Sequence, residues 1–301
     1  MTTVPVRRHN HVRRLASDRA FDGVLYTIAA ILTLTALYPM YFIIIASISD
    51  PSLVAQGKIL LLPRGVTLEG YEHLASMKNL WVGYGNTILY TIAGTAIMLV
   101  VNIPVAYALS RRDLVGRRWF TLFFVFPMFF GGGLIPTYLV VVGLGLVNTR
   151  WAMILPGLLS TYNIIMMMTY FRGIPASLEE SARIDGANDW VILIKIMIPL
   201  ALPVIAVIAL YIIVANWNSY IPATIYLRDR KLFPLQVILR EILISGTSNL
   251  DTETSGYDNF SAYSEAVKYA TIIASTIPVL CIYPFLQRFF VKGVMLGAIK
   301  G

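Results

Sequence analysis

Residues 173–203 read GIPASLEESARIDGANDWVILIKIMIPLALP, a short polar, glycine-broken segment set between strongly apolar runs. Pro175 discourages the incoming chain from continuing as helix. Ser177 and Glu180 have the S-x-x-E spacing of a capping box, which satisfies the exposed N–H groups of a helix start. A short helix through LEESARID then stops at Gly186, which enters the left-handed conformation without a Cβ penalty. Asn188 caps a second helix that plunges into apolar residues carrying Pro199 and Pro203. These signals predict a helix-turn-helix at a membrane surface, offering Glu179, Arg183 and Asp185 to whatever lies beneath. On these signals alone, an ordinary capped interfacial loop fits as well.

Working outward, the whole chain has 301 residues, 57% of them hydrophobic and 13% charged, with a mean hydropathy of +0.70. No soluble domain covers its surface with so few polar side chains, so this is an integral membrane protein. The single cysteine, Cys281, lies in an apolar run, which rules out a disulfide framework or a CxxC redox or zinc site. A formal charge of +8 raises the question of nucleic acid. The Lys and Arg residues, however, flank apolar segments instead of forming an aromatic-interleaved basic face, and they read as topology signals. The basic N-terminus resembles a signal peptide, but the apolar stretch behind it, about 26 residues, is too long for one and marks a retained span.

A membrane helix needs about 20 mostly apolar residues, because each backbone polar group must be satisfied without water. Six stretches qualify, at about 21–46, 86–110, 118–142, 152–171, 191–216 and 269–290, giving an all-α integral membrane protein. Arg7, Arg8, Arg13, Arg14 and Arg19 precede the first span; Arg111, Arg112, Arg117 and Arg118 follow the second; Arg288, Lys292 and Lys300 follow the last. These faces are expected in the cytoplasm, with both termini. The opposite connections, 47–85, 143–151 and 217–268, carry Asp50, Glu69, Glu72, Asp251, Glu253, Asp258 and Glu265 and are expected outside. The chain divides into a basic tail (1–20), a six-span body (21–290) and a C-terminal tail (291–301), with the opening segment between the fourth and fifth spans on the cytoplasmic side.

ESARIDGANDWVILIKIMIP resembles the EAA loop of permease subunits of ABC importers, matching at Glu180, Ala182, Asp185, Gly186, Ala187, Ile196 and Pro199 and departing at Ser181, Leu193 and Ile198. NTRWAMILPG, YFRGIP and the tail FLQRFFVKGVMLGAIKG extend the resemblance to maltose-type carbohydrate permeases of the type I class, over nearly the whole chain. The resemblance implies a coupling helix at about 175–190 that docks in a groove of a separate ATPase through Glu179, Glu180, Ala182, Arg183, Asp185, Gly186 and Ala187. It also implies a tail, Lys300 and Gly301, reaching toward the ATPase dimer, although a basic tail can equally rest on anionic lipid. The implied assembly is a heterodimer with a homologous permease, two ATPase subunits and an extracytoplasmic solute-binding protein in a bacterial inner membrane. GGGLIPTY and RDRKLFPLQ resemble a subgroup linked to acidic polysaccharides, uronate-rich alginate among them, though the spans show no basic lining that demands an anionic cargo.

The chain has no G-x-x-x-x-G-K-[ST] loop, so ATP and Mg belong on partner subunits and no cofactor or metal is expected here. No HExxH, GxSxG or buried His/Asp/Glu cluster marks an active site, and His9, His11 and His73 lie outside the spans. Lys195, near the cytoplasmic end of the fifth span, is placed to snorkel and gives no proton relay. Gly131, Gly132, Gly133 and Pro136 break the third span, lining a cavity with Tyr138 available for sugar stacking, or packing closely through small residues. Pro199 and Pro203 predict a bend in the fifth span. Asn216, Trp217, Asn218 and Tyr220 at its outer end suit sugar rings, or an interfacial aromatic belt. Asn102 and Asn163 are expected to make interhelical hydrogen bonds, and NIIMMMTYF to pack. The helical, apolar LFPLQVILREIL is expected on the membrane surface or against a partner, where the outer segment is the candidate contact for a binding protein. Two rival classes, a six-span carrier or channel and a membrane-embedded polysaccharide enzyme, lack support in the motifs, while a permease for lipid, peptide or another solute differs only in cargo.

Overall fold

The computed structural model describes residues 16–245, 267–281 and 284, with side chains from residue 21 onward up to 244 and again at 267–281 and 284. Arg7, Arg8, His9, His11, Arg13, Arg14, Asp251, Glu253, Asp258, Glu265, Arg288, Lys292, Lys300 and Gly301 lie outside the described residues, as does the side chain of Arg19. All regular structure among the described residues is helical. Helix α1 is Ala16–Ser47, and α2 (Pro51–Ala55) and α3 (Glu69–Ser76) lead to the 33-residue α4, Lys78–Ser110. The third expected span is α5 (Arg117–Phe129) and α6 (Leu134–Gly143). The fourth is α7 (Trp151–Ile154), a 3-10 turn at Leu155–Gly157 and α8 (Thr161–Arg172). Then come α9 (Ala176–Ile184), α10 (Asp189–Ile192), a π turn at Leu193–Met197, α11 (Ile198–Leu200) and α12 (Leu202–Trp217). The described part closes with α13 (Ile221–Tyr226), α14 (Leu235–Ser245) and α15, Val267–Cys281.

Two helices, Phe21–Ser47 and Lys78–Ser110, have the length and apolar character to cross a bilayer as single rods. Three helix pairs reach that length and apolar character only together, each bent at its break: α5 and α6 through 116°, α7 and α8 through 50°, and the α10–α11 rod against α12 through 81°. The helix α15 is the described part of the last expected span, 269–290. The helix that carries the second expected span begins at Lys78, ahead of the apolar run near residue 86. Its first turns, KNLWVGYG, are polar and glycine-bearing, but Leu80, Gly83, Asn86 and Thr87 are buried beneath neighbouring chain, so tertiary packing holds that end helical.

The long helix α4 is the pillar of the molecule and packs against α12, α8 and α14. Ile103, Ala106 and Tyr107 on α4 meet Ile164, Met167 and Phe171 on α8 and Ile208 on α12 in one buried cluster. The methionine run therefore packs, as its composition suggests. Asn102, 1% exposed, donates from Nδ2 to the carbonyls of Met98 (2.6 Å) and Leu158 (2.7 Å), while its Oδ1 accepts from the Ser160 N–H (3.1 Å). It thereby satisfies backbone groups at the break before α8, which the sequence reads as an uninterrupted span. Ser160 caps α8 by accepting from the N–H of Asn163, itself buried.

The apolar stretch LFPLQVILREIL does form a helix, but its cover is the chain itself. Leu235 and Leu239 of α14 are buried with Leu80, Trp217 and Val267. On α4, Asn86 donates to the carbonyls of Lys231 (2.7 Å) and Phe233 (3.1 Å), Tyr90 Oη donates to Leu232 O (2.8 Å), and Thr87 Oγ1 accepts from Leu235 N–H (2.8 Å). Hydropathy identifies the helix and says nothing of these anchors. Together with the apolar face it buries, they hold the segment where it lies.

Candidate functional site

The opening segment is built by its local residues. Pro175, with φ −57°, is itself the N-cap of α9, and the helix begins at Ala176. This corrects the capping box: a capping residue has non-helical backbone, and Ser177 already lies inside the first turn, so no side-chain cap is made. The helix ends on Gly186, φ +82°. Its N–H donates to Arg183 O (3.0 Å) and the Ala187 N–H to Ala182 O (2.9 Å), the paired closure of a Schellman turn. Ala182 and Ala187, the motif's alanines, pack on the core cluster beneath. Asn188 caps α10, its Oδ1 accepting from the Val191 N–H at 2.9 Å.

Below α10 the helix widens to a π turn at Leu193–Met197, since Pro199 has no N–H for the carbonyl of Lys195. Lys195 is exposed. The 81° bend falls at Ala201, between Pro199 and Pro203, where the sequence places it; Tyr170 Oη donates to the Leu200 carbonyl at 3.3 Å.

The charges of α9 split into two sets. Glu180 and Asp185 are exposed, together with the apolar Ile184 (87%) and Trp190 (63%). Glu179 turns inward and pairs with Arg111, just beyond the end of α4; the side chains are 17% and 16% exposed. Arg111 also binds Asp113 at 3.1 Å, and Arg183 bonds Asp189 at 2.5 Å and lies 3.8 Å from Asp113. The Arg111 guanidinium, with a smaller effect from Arg183, holds the Asp113 carboxyl below its ordinary value. Sequence reading sees Glu179 and Arg183 as surface offerings; the fold turns Glu179 inward into a charged clasp between α9 and the α4–α5 connection, while Arg183 stays exposed at its edge. Only the basic run Arg111–Arg112 hinted at a partner, and 68 residues separate Arg111 from Glu179 (179 − 111 = 68).

The candidate pathway residues fall in three places. Gly131, Gly132 and Gly133 form the break between α5 and α6, with Gly133 at φ +79°, ψ −173°, a conformation reserved for glycine. Pro136 lies in the first turn of α6, where its missing N–H costs nothing. Tyr138 is half-buried and stacks on Tyr226, ring centroids 6.3 Å apart. Trp217 is a correction to both the sugar-stacking and the aromatic-belt readings: it is 4% exposed, in the cluster with Leu80 and Leu235, and its indole N–H donates to Ser275 O at 3.3 Å. Position along α12 does not reveal that α14 and α15 cover it. Asn216 lies against Gly94 of α4, where a Cβ would come within 2.9 Å of its Nδ2. That amide nitrogen, Thr91 Oγ1 and Thr95 Oγ1 are buried without hydrogen-bond partners among the described residues. Asn218 is exposed and Tyr220 half-buried, both facing α14.

A clasp the sequence did not announce joins two connections near that end. Asn148, at φ +59°, uses Oδ1 to accept from the N–H groups of Arg228 and Asp229, each at 2.9 Å, while its own N–H donates to Tyr226 O at 2.8 Å. Asparagine tolerates the left-handed region, so the backbone conformation at Asn148 was readable, but its partners some 80 residues on were not.

Residues 103–296 match the family model "Binding-protein-dependent transport system inner membrane component". The chain is 40% identical over 285 residues to the polygalacturonan/rhamnogalacturonan transport system permease protein YtcP of Bacillus subtilis, covering 94% of this chain and 99% of that protein. It is 38% identical to protein LplC of the same organism, over 87% of this chain and 89% of that protein. Among solved structures, a chain from the crystal structure of a bacterial ABC transporter involved in the import of the acidic polysaccharide alginate superposes with a TM-score of 0.85 at 37% identity, over 92% of this chain and 99% of the other. The bent-span, all-helical architecture described above is thus a shared one, and the chain belongs to the family of inner membrane components of binding-protein-dependent transport systems, the permeases of ABC importers.

Proposed function

We propose that this chain is one permease of a heterodimeric, ATP-driven importer of acidic oligo- or polysaccharides, with six spans and both termini in the cytoplasm. ATP is hydrolysed on two partner subunits, and an extracytoplasmic binding protein delivers cargo to the outer face formed by α2, α3, α13 and α14. The carrying observation is the agreement between 40% identity to a polygalacturonan/rhamnogalacturonan permease and 37% identity to a chain of an alginate importer, both over more than nine-tenths of this chain. The three named polymers, polygalacturonan, rhamnogalacturonan and alginate, share a uronate carboxylate, which is why the acidic class is preferred to neutral sugars. The uncovered apolar faces of α1 and α5 support a second permease: in Phe21–Ser47 only 6% of the spanning window is buried, and α5 buries no residue.

Helix α9 is read as the coupling helix. Glu180, Ile184 and Asp185 face out to a partner ATPase, and Glu179 ties the helix to α4 through Arg111. Closure of the ATPases moves α9, and the charged clasp and the bent α10–α12 rod pass that motion to the spans. ATP biases such states only through differential affinity, so the permease supplies the bistable element.

The test is uptake into proteoliposomes holding both permeases, the ATPase and the binding protein. Oligogalacturonate or oligoalginate is expected to accumulate only with ATP inside the compartment facing α9. Uptake that persists without ATP, or uptake of neutral oligosaccharides alone, contradicts the reading.

A further inference from the structure

The end of α12 and the face of α14 that follows it bring together polar and cationic side chains from residues 218–240. We infer that Arg240, Tyr220, Asn218 and Gln236 form a recognition site for the carboxylate of a uronate residue at the mouth of the pathway, a site that rests on the importer reading above.

Arg240 lies one turn after Gln236 on α14, so both project from the same face of that helix. Opposite them is the chain leaving α12. Gln236 Nε2 donates to Asn218 Oδ1 at 3.4 Å, a long bond. Two residues on, the Arg240 guanidinium lies over the ring of Tyr220, 4.2 Å from its centroid. Among the described residues no carboxylate pairs with Arg240, although its neighbour Glu241 is taken up by Arg230 at 2.7 Å. Arg240 and Asn218 are exposed. Tyr220 is fixed from behind by Val237, Ala223 and Leu227.

These parts suit one ligand chemistry. Stacking on Tyr220 holds the guanidinium plane and leaves its N–H edge free, the edge that binds a carboxylate through two parallel hydrogen bonds. The adjacent amides supply donors and acceptors for ring hydroxyls. A neutral sugar would use the amides and leave the cation unmatched, so the arrangement discriminates by charge. It also answers the lack of a basic lining in the spans: the cation used here, Arg240, lies on α14, outside them. The site is held by the anchors that Asn86, Thr87 and Tyr90 give to residues 231–235, so its place on the rim does not depend on a bound ligand.

The experiment compares uptake of an oligogalacturonate and of the same oligosaccharide methyl-esterified at its carboxyls, by the complete importer in proteoliposomes. Wild type, Arg240→Gln and Arg240→Lys are used, all with one binding protein. Because Arg240 is exposed, the glutamine variant is expected to assemble normally. Loss of a charge-assisted hydrogen-bonded contact lowers uptake of the charged form about tenfold at subsaturating concentration. Uptake of the ester is expected to stay unchanged, and Arg240→Lys to fall between. An equal fall for both forms assigns Arg240 a structural role and overturns the site; so does no change in either. If wild type carries only the ester, the acidic-cargo reading fails and the site with it, an outcome separate from the first two because it appears before any substitution.

Discussion

Asn102 shows how much one polar residue decides in this fold. It is 1% exposed on the pillar helix, and its amide uses both ends: Nδ2 toward Leu158 O and Oδ1 toward the Ser160 N–H. Asn102→Leu keeps the volume and removes both bonds, orphaning backbone groups at the break before α8. Each orphaned buried group costs about 1–3 kcal/mol. The variant is therefore expected to unfold at lower temperature in detergent, while Asn102→Gln, which keeps the amide but misplaces it, falls between. Tryptophan fluorescence of the purified permease during heating reads this directly; an unchanged midpoint for Asn102→Leu contradicts the assigned role. That Asn102 bonds across helices was readable from a lone amide in hydrocarbon, but its target was not, because the break it serves is set by packing. The reverse holds for Gly186, where a chemical signal alone located the turn, and φ +82° with its two closing bonds confirmed it. Ser177 marks the limit of such motif reading: a proline two residues upstream captured the capping position first.

The helices divide along the same line. Apolar run lengths located the long apolar helices and helix pairs, and proline and glycine located the bends at Ala201 and at 131–133. What hydropathy leaves out is how far elements cover one another. Trp217 and the first turns of α4 both changed environment because α14 lies on them, and residues 148 and 228, or 111 and 179, meet only in three dimensions. The clasp between α9 and the α4–α5 connection gives an element-level prediction. With Glu179 facing Arg111, reversing either charge alone places like charges in a half-buried contact, and sugar carried per ATP hydrolysed is expected to fall. The double exchange Arg111→Glu with Glu179→Arg restores the pair and is expected to recover coupling. A double-mutant cycle between contacting charges of this kind measures about 0.5–3 kcal/mol. If Glu179 instead contacts the ATPase, the exchange gives no recovery, and Arg111→Gln alone leaves coupling intact.

Taken whole, the described chain is a pillar helix ringed by bent spans, with much of its apolar surface left for lipid and partners and its ordered polar segments at the two ends. One end is fastened by Asn86, Tyr90 and Asn148; the other is α9 on its glycine turn. Between them, the α10–α12 rod runs directly from α9 through a π turn and an 81° bend to the turn where Asn218 and Tyr220 lie. The proposed coupling is that ATP hydrolysis elsewhere in the assembly is read by residues 173–203. Its most direct measurement is the cargo-stimulated ATPase rate of the reconstituted importer, for wild type and Gly186→Pro, with subunit assembly checked on the same samples. Proline fixes φ near −65°, which cannot replace +82°, so the turn that projects α9 is lost. The account predicts that the variant assembles, retains hydrolysis without cargo and loses its stimulation. Stimulation of wild-type size in an assembled Gly186→Pro complex would show that residues 173–203 form a capped surface loop and that coupling runs elsewhere.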